Sequence, residues 1–202
     1  MKRISIIGSG GHTRSLINLL ESGFIIDGIY DDTYDVNNKE MINGYHLVGK
    51  TNAITEDNTL VISAGDCEKR AFFYKKYKSQ VLKKNLVHLT SKIEKWATIG
   101  EANQLFANTY LNSYVKIGDN NIINTGAIIE HETHIGNHNH ISVKSVLCGR
   151  VIIGNKCFIG AGAIVINNIS ICDNVTIGAG SVVIGDIYKP GVYVGNPAMM
   201  IK

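Results

Sequence analysis

An aliphatic residue recurs at every sixth position from Ile93 to Val183 without a break. Neither an α-helix, with its period of about 3.6, nor a half-buried strand, with its period of about 2, requires a repeat of six. A coil with three flat sides does, because each unit of six residues then supplies one short strand and one turn. The stretch therefore predicts a β-solenoid in which the repeated aliphatic residues all point into one apolar column.

The segment before this repeat has a different pattern. Residues 3–7 predict a buried strand, Gly8–His12 a glycine-rich turn, Thr13–Ser22 a helix and Phe24–Tyr30 a second strand. Strand, glycine turn, helix and strand in this order form a βαβ unit, in which backbone N–H groups at the start of the helix can approach an anion.

As a dinucleotide fingerprint the turn is incomplete, because Thr13 stands where the third glycine of G-x-G-x-x-G belongs. We therefore expect a ligand phosphate or sugar at this turn, with a plain tight turn as the alternative, and do not expect a nicotinamide cofactor.

Further along, Thr59–Ala64 predicts a strand and Glu68–Lys78 a helix. Its inner side is predicted to carry Phe72, Phe73 and Tyr77, and its Lys and Arg residues are predicted to lie in solvent. The predicted fold class is thus a Rossmann-like α/β domain followed by an all-β parallel β-helix. We place the first domain at residues 1–88 and the solenoid, with a C-terminal tail, at residues 89–202.

Composition narrows the function only slightly. The net charge of +3 is too small to indicate a nucleic-acid or anionic-membrane partner, and no apolar run approaches the length of a membrane span. The four cysteines show no CxxC pair and no disulfide framework, and Cys157 falls on an inward solenoid position. A reducing cytoplasm suits this pattern.

The candidate chemistry lies in the solenoid, where four histidines fall within ten residues: His131, His134, His138 and His140. Glu130 and Glu132 bracket His131, and a neighbouring carboxylate can fix the imidazole tautomer and raise its basicity, as a general base needs. For His134 and His138 we favour a hydrated corner of the coil.

A metal site and a covalent route are the other chemistries that this part of the chain could support. His131-Glu132-Thr133-His134 is one residue short of HExxH and does not lie on a helix, so it does not form the usual zinc motif. Some hexapeptide solenoids, the gamma-class carbonic anhydrases, bind a metal through histidines of widely separated coils, and no such spacing occurs here. Cys148 is the candidate nucleophile for a covalent route, but no activating partner is evident near it in the sequence.

Several stretches resemble one known family. They are Ile6–His12, residues 129–132 (Ile-Glu-His-Glu), residues 140–143 (His-Ile-Ser-Val) and residues 192–198 (Val-Tyr-Val-Gly-Asn-Pro-Ala). Over nearly its whole length the chain resembles the bacterial sugar acetyltransferases of the sialic-acid O-acetyltransferase (NeuD) type. It is most similar to the nucleotide-4-amino-sugar N-acetyltransferases such as that of the bacillosamine pathway. The resemblance implies a left-handed β-helix.

The resemblance also implies roles for individual residues. His131 corresponds to the catalytic base and Glu132 to the acid that enhances its basicity. The positions that correspond to acetyl-CoA contacts are His140, Gly149, Ala161 and Ala179. Those that correspond to contacts with the nucleotide-sugar are Gly10, Gly11, His12, Asp31, Asp32 and Asp66. Asp66 departs from the asparagine usual there, and Lys144 stands where glycine is common.

The expected activity is acetyl-CoA-dependent N-acetylation of the 4-amino group of a nucleotide-linked amino-deoxy-sugar, by direct transfer, for surface glycan or glycoprotein biosynthesis. UDP is the expected nucleotide, and no metal is expected. The aliphatic outer faces, with residues such as Ile122, Ile128 and Ile152, indicate packing against further copies of the chain. The resemblance implies that the assembly is a homotrimer with active sites between subunits. The alternatives are O-acetylation of a sialic acid or other sugar and, from another class, a non-catalytic solenoid or a metal-dependent hydratase.

Overall fold

The structure is a computed structural model that describes residues 2–20, 23–37 and 40–202. Contacts divide the chain into two units, Met1–Lys83 and Lys84–Lys202. The predicted division after residue 88 stays a prediction.

The first unit is an α/β layer built on a five-stranded sheet of order β3-β4-β2-β1-β5. All neighbouring strands are parallel except β3 and β4, which are antiparallel. Its elements are β1 (Lys2–Ile7), α1 (Gly11–Leu20), β2 (Phe24–Tyr30), β3 (Met41–Ile42), β4 (Tyr45–Gly49), a 3₁₀ turn (Thr51–Ala53), β5 (Leu60–Ile62) and α2 (Cys67–Lys76).

The predicted βαβ unit is present. The inner strand β1 buries the run from Ile4 to Ile7, and α1 packs Leu16, Ile17 and Leu20 into the same core with no exposed surface. Helix α1 begins two residues before the predicted Thr13, and the predicted helix end at Glu21 and Ser22 lies outside the described residues.

The second unit is a three-sided parallel solenoid whose strands are mostly two residues long. Its first face comprises β7, β10, β13, β16, β19 and β22; the second β8, β11, β14, β17 and β20; and the third the remaining strands. The strands are β6 (Leu86–Val87), β7 (Lys92–Ile93), β8 (Thr98–Ile99), β9 (Gln104–Leu105), β10 (Tyr110–Leu111), β11 (Lys116–Ile117), β12 (Ile122–Ile123), β13 (Ile128–Ile129), β14 (His134–Ile135), β15 (His140–Ile141), β16 (Val146–Leu147), β17 (Ile152–Ile153), β18 (Phe158–Ile159), β19 (Ile164–Val165), β20 (Ser170–Ile171), β21 (Val175–Ile177), β22 (Val182–Val183), β23 (Gly191–Val194) and β24 (Met199–Met200).

The sixfold repeat accounts for the solenoid core as predicted. Tyr110 pairs with Ile128 and Ile128 with Val146, so one coil takes eighteen residues. The repeated aliphatic residues form one buried cluster, against which Ile93 and Ile99 pack partly buried at one end. Of the outer aliphatic residues, Ile128 and Ile152 are exposed as expected, whereas Ile122 is fully buried.

A ladder of asparagines runs along one edge of the solenoid, between the second and third faces. Asn103, Asn121 and Asn139 are fully buried, one per coil. The side-chain oxygen of Asn121 accepts from the backbone N–H of Asn139 (2.7 Å), and its amide nitrogen donates to the carbonyl of Gly136 (2.9 Å). The ladder satisfies backbone groups that the tight turns would otherwise bury without partners.

Replacing Asn121 with leucine is expected to lower the free energy of unfolding by about 2–4 kcal/mol. The change leaves the buried N–H of Asn139 and the partly buried carbonyl of Gly136 without a partner, and an unsatisfied buried group costs about 1–3 kcal/mol. Urea unfolding followed by circular dichroism measures it. Asn167→Leu is the control, because that side chain is exposed, and its expected cost is under about 0.5 kcal/mol. Equal costs for the two variants would contradict a structural role for the ladder.

Candidate active site

A cleft of about 980 Å³ opens in the first unit at the carboxyl ends of β1, β2 and β5. Strand β1 is paired with β2 on one side and with β5 on the other, so the strand order reverses at β1. Ligands of open α/β sheets bind at the carboxyl ends of the strands where such a reversal occurs. All six positions that the resemblance assigns to the nucleotide-sugar line this cleft: Gly10, Gly11, His12, Asp31, Asp32 and Asp66.

The glycine turn after β1 depends on Gly8 and Thr13. Gly8 has a φ of +107°, and a Cβ there would lie 2.6 Å from the backbone oxygen of Ser63. Thr13 is fully buried, donates from Oγ1 to the Gly8 carbonyl (2.9 Å) and lies 2.9 Å from the Ser63 hydroxyl. The threonine that breaks the dinucleotide fingerprint therefore ties the turn to the strand end beside it.

The fold does not require glycine at positions 10 and 11 in the way that it does at Gly8. A Cβ at either position would meet nothing within 4 Å, so both glycines face open space. Helix α1 begins at Gly11 and carries no acidic residue in its first turn. N–H groups at a helix start have no partner within the helix, and the macrodipole favours an anion there. The turn can thus admit a phosphate close to the backbone.

Two aspartates close the β2 side of the cleft. Burial disfavours the ionised form of Asp31, but hydrogen bonds from Thr33 and from the Ser9 N–H outweigh it and hold the pKa of Asp31 below its ordinary value. Asp32 accepts from the Thr51 N–H (3.0 Å) and hydroxyl (2.7 Å) through one oxygen, Oδ1. Carboxylate acceptors of this kind can read the N–H groups of a nucleobase.

Asp66 has a structural role besides lining the cleft. It caps α2, where its side chain accepts from the backbone N–H of Lys69 at 2.8 Å. Such a cap stabilises a helix by about 1 kcal/mol.

Helix α2 differs from the sequence prediction. Phe72 was predicted to face inward but is 60% exposed and lines the cleft with Lys69, whereas Arg70 is fully buried. The reason is geometric, because two residues along a helix turn the side chain by about 200°. Arg70 donates to the carbonyls of Ala64 (2.8 Å) and Gly65 (3.2 Å) and so anchors the loop at the cleft rim.

In the second unit, His131 lies in the turn between β13 and β14, at the edge between the first and second faces. Its Nδ1 is 3.1 Å from Oε2 of Glu132, which also accepts from Nε of Arg150 at 3.0 Å. The hydrogen bonds from His131 and Arg150 lower the pKa of Glu132, so the carboxylate stays ionised at neutral pH. An ionised acceptor at Nδ1 places the proton there and leaves Nε2 as the basic nitrogen.

Gly149 lies directly beneath the His131 ring, one coil further on. A Cβ at Gly149 would lie 2.6 Å from Cε1 and 2.7 Å from Nε2 of His131. The glycine therefore lets the imidazole rest against the backbone. Its own N–H donates to no acceptor within the described part of the chain.

Replacing Gly149 with alanine is expected to lower kcat for any reaction that uses His131 by about 100-fold, since a displacement of about 1 Å can cost that much. The imidazole must leave its place to make room for the methyl group. Steady-state kinetics measures the loss, and a crystal structure of the variant shows the ring position. Gly185→Ala, at the equivalent place two coils further on, meets nothing within 4 Å and serves as the control. Unchanged kcat in Gly149→Ala would contradict the assignment of the ring.

The other predicted positions of the second unit lie elsewhere on the coil. His140 is buried on the third face, where its Nε2 is 3.1 Å from the amide nitrogen of Asn124 and its ring meets Phe158 edge-on. Ala161 and Ala179 are exposed at the edge between the third and first faces. The described chain thus does not bring His140, Ala161 or Ala179 to His131.

The small residues at that edge form a continuous strip. Ala161 and Ala179 are each followed by a glycine of positive φ, Gly162 (+66°) and Gly180 (+67°). Lys144 occupies the equivalent corner one coil earlier, at a φ of +54°. Because these residues carry no side chain larger than a methyl group, a thin, extended ligand can approach the backbone along the strip.

Cys148 bears on the covalent route, and the His, Cys, Asp and Glu side chains bear on a metal site. Burial, with a smaller contribution from Glu130, raises the pKa of Cys148, so its thiol is not a ready nucleophile. Within residues 2–20, 23–37 and 40–202, no group of three or more His, Cys, Asp or Glu side chains is placed to hold a metal. In the same residues no helix is long and apolar enough to cross a membrane.

Two families match parts of the chain. Residues 3–77 match the family described as PglD N-terminal domain, and residues 150–185 match the bacterial transferase hexapeptide family (six repeats). Together with the strand topology, these matches confirm the predicted fold class of an α/β domain followed by a left-handed parallel β-helix of hexapeptide repeats. No curated protein sequence matches the chain significantly.

Several solved structures resemble the whole chain. A variant of perosamine N-acetyltransferase from Caulobacter crescentus, in complex with CoA and GDP-perosamine, is 28% identical with a TM-score of 0.91, and the match covers 100% of this chain and 98% of that one. The acetyltransferase domain of PglB from Neisseria gonorrhoeae is 24% identical with a TM-score of 0.90, covering 100% of both chains. WeeI from Acinetobacter baumannii is 20% identical with a TM-score of 0.77, again covering 100% of both. At these lower identities the last two show the fold alone.

Proposed function

Since the chain belongs to the acetyl-CoA-dependent sugar acetyltransferases of the NeuD and PglD type, we propose that it acetylates the 4-amino group of a nucleotide-linked amino-deoxy-sugar. The product would serve surface glycan or glycoprotein biosynthesis. The observation that carries the proposal is the hydrogen bond between His131 Nδ1 and the ionised Glu132. The similar enzyme from Caulobacter crescentus was solved with CoA and GDP-perosamine.

The reaction requires a neutral amine and a base in reach of it. In the proposed mechanism the amine nitrogen attacks the thioester carbonyl carbon while Nε2 of His131 takes a proton from the amine. Glu132 stabilises the resulting imidazolium through Nδ1. As the tetrahedral intermediate collapses, the C–S bond breaks and His131 returns the proton to the CoA sulfur. General-base catalysis of this kind contributes roughly 10²–10⁴-fold.

The transfer is direct, without an acyl-enzyme. A covalent route would need a thiolate, and the raised pKa of Cys148 opposes one. The oxyanion needs a fixed donor, for which the backbone N–H of Gly149 is our candidate.

The strip of Ala161, Gly162, Ala179 and Gly180 suits the pantetheine arm of acetyl-CoA, because the arm is narrow and hydrogen-bonds well to backbone groups. We assign His140 to the thioester end of the same ligand. No metal takes part in this scheme.

The cleft of the first unit is assigned to the nucleotide. Gly10, Gly11 and His12 would hold the phosphates at the start of α1, and Asp31 and Asp32 would accept from the base. Asp66 would contribute at the β5 side. UDP is our first choice of nucleotide, and GDP is the nucleotide of the similar perosamine enzyme.

A homotrimer would complete the site. His131 and the strip of small residues lie at different edges of one solenoid, and the exposed aliphatic residues Ile128, Ile152 and Ile164 give its faces an apolar surface. Packing of three copies would set His131 of one copy against His140, Ala161 and Ala179 positions of the next. Sedimentation equilibrium tests the assembly, and a monomer that retains full activity would exclude it. We place the reaction in the cytoplasm, where the free cysteines stay reduced.

Thiol release from acetyl-CoA tests the activity directly. The acceptors are UDP-, GDP- and dTDP-linked 4-amino-sugars, each beside the matched sugar with a 4-hydroxyl group, and sialic acid. Release with one amino-sugar and not with its hydroxyl counterpart is the expected result. Release with sialic acid alone would replace N-acetylation by O-acetylation, and no release with any acceptor would overturn the proposed function.

A further inference from the structure

A pair of exposed aromatic rings lies on the same edge of the solenoid as His131. Trp96 and Tyr114 stack with ring centroids 5.5 Å apart and planes only 5° apart, and both side chains are more than half exposed. Lys95 places its ammonium 4.7 Å from the Trp96 centroid, which steadies the outer ring through a cation–π contact. The catalytic scheme above does not use either ring.

The eighteen-residue coil relates this pair to the proposed base. Trp96, Tyr114 and Glu132 are equivalent residues of successive coils, with φ of +69°, +63° and +60°. The N–H of Glu132 donates to the carbonyl of Ser113, so Tyr114 lies beside the turn that carries His131. Adjacent coils are separated by about 4.8 Å, and Tyr114 is therefore one coil from Glu132 and Trp96 two.

The side chains of His131 and Glu132 are both directed to the following coil, away from Tyr114. The His131 ring leans over Gly149, toward the following coil and away from Ser113. Glu132 turns its carboxylate to His131 and to Arg150, which also lies in the following coil. Trp96 covers one face of Tyr114, and because the rings are parallel the opposite face looks toward the level of His131.

From this arrangement we infer that Tyr114, backed by Trp96, is the stacking surface for the hexose ring of the acceptor. The inference rests on the proposed function and adds to it the surface that selects the sugar. The axial C–H groups of a hexose form an apolar face that matches an aromatic ring in size, and a deoxy position enlarges that face. A sugar resting on Tyr114 lies at the level of the turn that carries His131, so that a substituent directed to the following coil points toward Nε2.

Trp96 is the only tryptophan of the chain, so its fluorescence reports on this surface without catalysis. In His131→Ala, which binds without turnover, the nucleotide-linked amino-sugar identified by thiol release is expected to change the Trp96 emission in a saturable way. The matching free nucleotide, which lacks the hexose, is expected to leave the emission unchanged. An equal change with the free nucleotide, or no change with the sugar nucleotide, overturns the inference.

The second test measures steady-state kinetics of variants of the aromatic pair, in which His131 and Glu132 are unchanged. Tyr114→Ala is expected to raise KM for the acceptor by about 10-fold with KM for acetyl-CoA unchanged, and Tyr114→Phe to restore the acceptor KM. Trp96→Ala, which acts through Tyr114, is expected to raise it by about 3-fold. Tyr188→Ala is the matched control, because that ring is 79% exposed and lies several coils away.

The outcomes separate the two claims. If the unaltered protein releases thiol but Tyr114→Ala has an unchanged acceptor KM, the stacking surface is overturned and the proposed function stands. A lower melting temperature of Tyr114→Ala, with equal changes in the KM of the acceptor and of acetyl-CoA, would show that Trp96 and Tyr114 only stabilise the fold. That result likewise overturns the stacking surface. Absence of thiol release by the unaltered protein overturns the proposed function and this inference together.

Discussion

Replacing His131 with alanine is expected to lower kcat for acetyl transfer by about 10²–10⁴-fold, with the KM of both substrates nearly unchanged. The variant loses the imidazole of His131. In the described site it is the only ring that is hydrogen-bonded through Nδ1 to an ionised carboxylate and has Nε2 available to accept a proton. Thiol release at saturating substrates measures kcat. Single-turnover kinetics then shows that the chemical step, and not product release, has slowed.

Two variants accompany this measurement. His134→Ala removes an exposed histidine of the second face and is expected to retain full activity. Glu132→Gln keeps an amide oxygen at Nδ1 but loses the charge that stabilises the imidazolium, so its kcat is expected to fall by less than that of His131→Ala. Full turnover in His131→Ala would remove His131 from the mechanism, and equal losses in His131→Ala and His134→Ala would indicate damage to the coil.

Replacing Gly8 with alanine is expected to lower the free energy of unfolding by on the order of 2–4 kcal/mol and to abolish nucleotide-sugar binding. The added Cβ would stand 2.6 Å from the backbone oxygen of Ser63, at a φ of +107° that alanine disfavours. To avoid this clash the glycine turn must move away from β5. The movement displaces the start of α1, where the phosphate is expected to bind, from the cleft. Urea unfolding and the acceptor KM measure the two effects.

Gly11→Ala is the matched comparison for this change, because it is expected to separate the effect on binding from the effect on stability. Nothing lies within 4 Å of a Cβ at Gly11, and alanine as the first residue of α1 is expected to leave stability unchanged or to raise it by about 0.5–1 kcal/mol. If a phosphate approaches the backbone there, the methyl group weakens nucleotide-sugar binding even though the fold is more stable. An unchanged acceptor KM in Gly11→Ala would exclude a phosphate from this turn.

The solenoid could be predicted from sequence because its packing imposes the repeat directly. Each residue from Leu105 to Val183 at the sixfold positions must face the same column, so the period is visible without a structure. The βαβ opening was predictable for a similar reason, since the buried Ile4–Ile7 and the periodic leucines of α1 follow the ordinary spacings of strand and helix.

Contacts between coils were harder to predict. Arg150 binds Glu132 and Trp96 stacks on Tyr114, and in both pairs the partners are eighteen residues apart. The separation of eighteen residues can be counted in the sequence. It indicates a contact only once the length of one coil is known to be eighteen residues. Phe72 and Arg70 were assigned to the wrong sides of α2 because residue type suggested an inner phenylalanine and a solvated arginine, whereas the loop carbonyls at Ala64 and Gly65 hold the guanidinium inside.

The asparagine ladder also bears on the order in which the solenoid assembles. Each rung presents a side-chain oxygen that accepts from an N–H eighteen residues later, as Asn103 does from Asn121 and Asn121 from Asn139. A chain emerging from the ribosome thus completes one coil with an acceptor already in position for the next. Growth by this templating would run from the amino to the carboxyl end and would end at Cys157, whose N–H donates to the amide oxygen of Asn139.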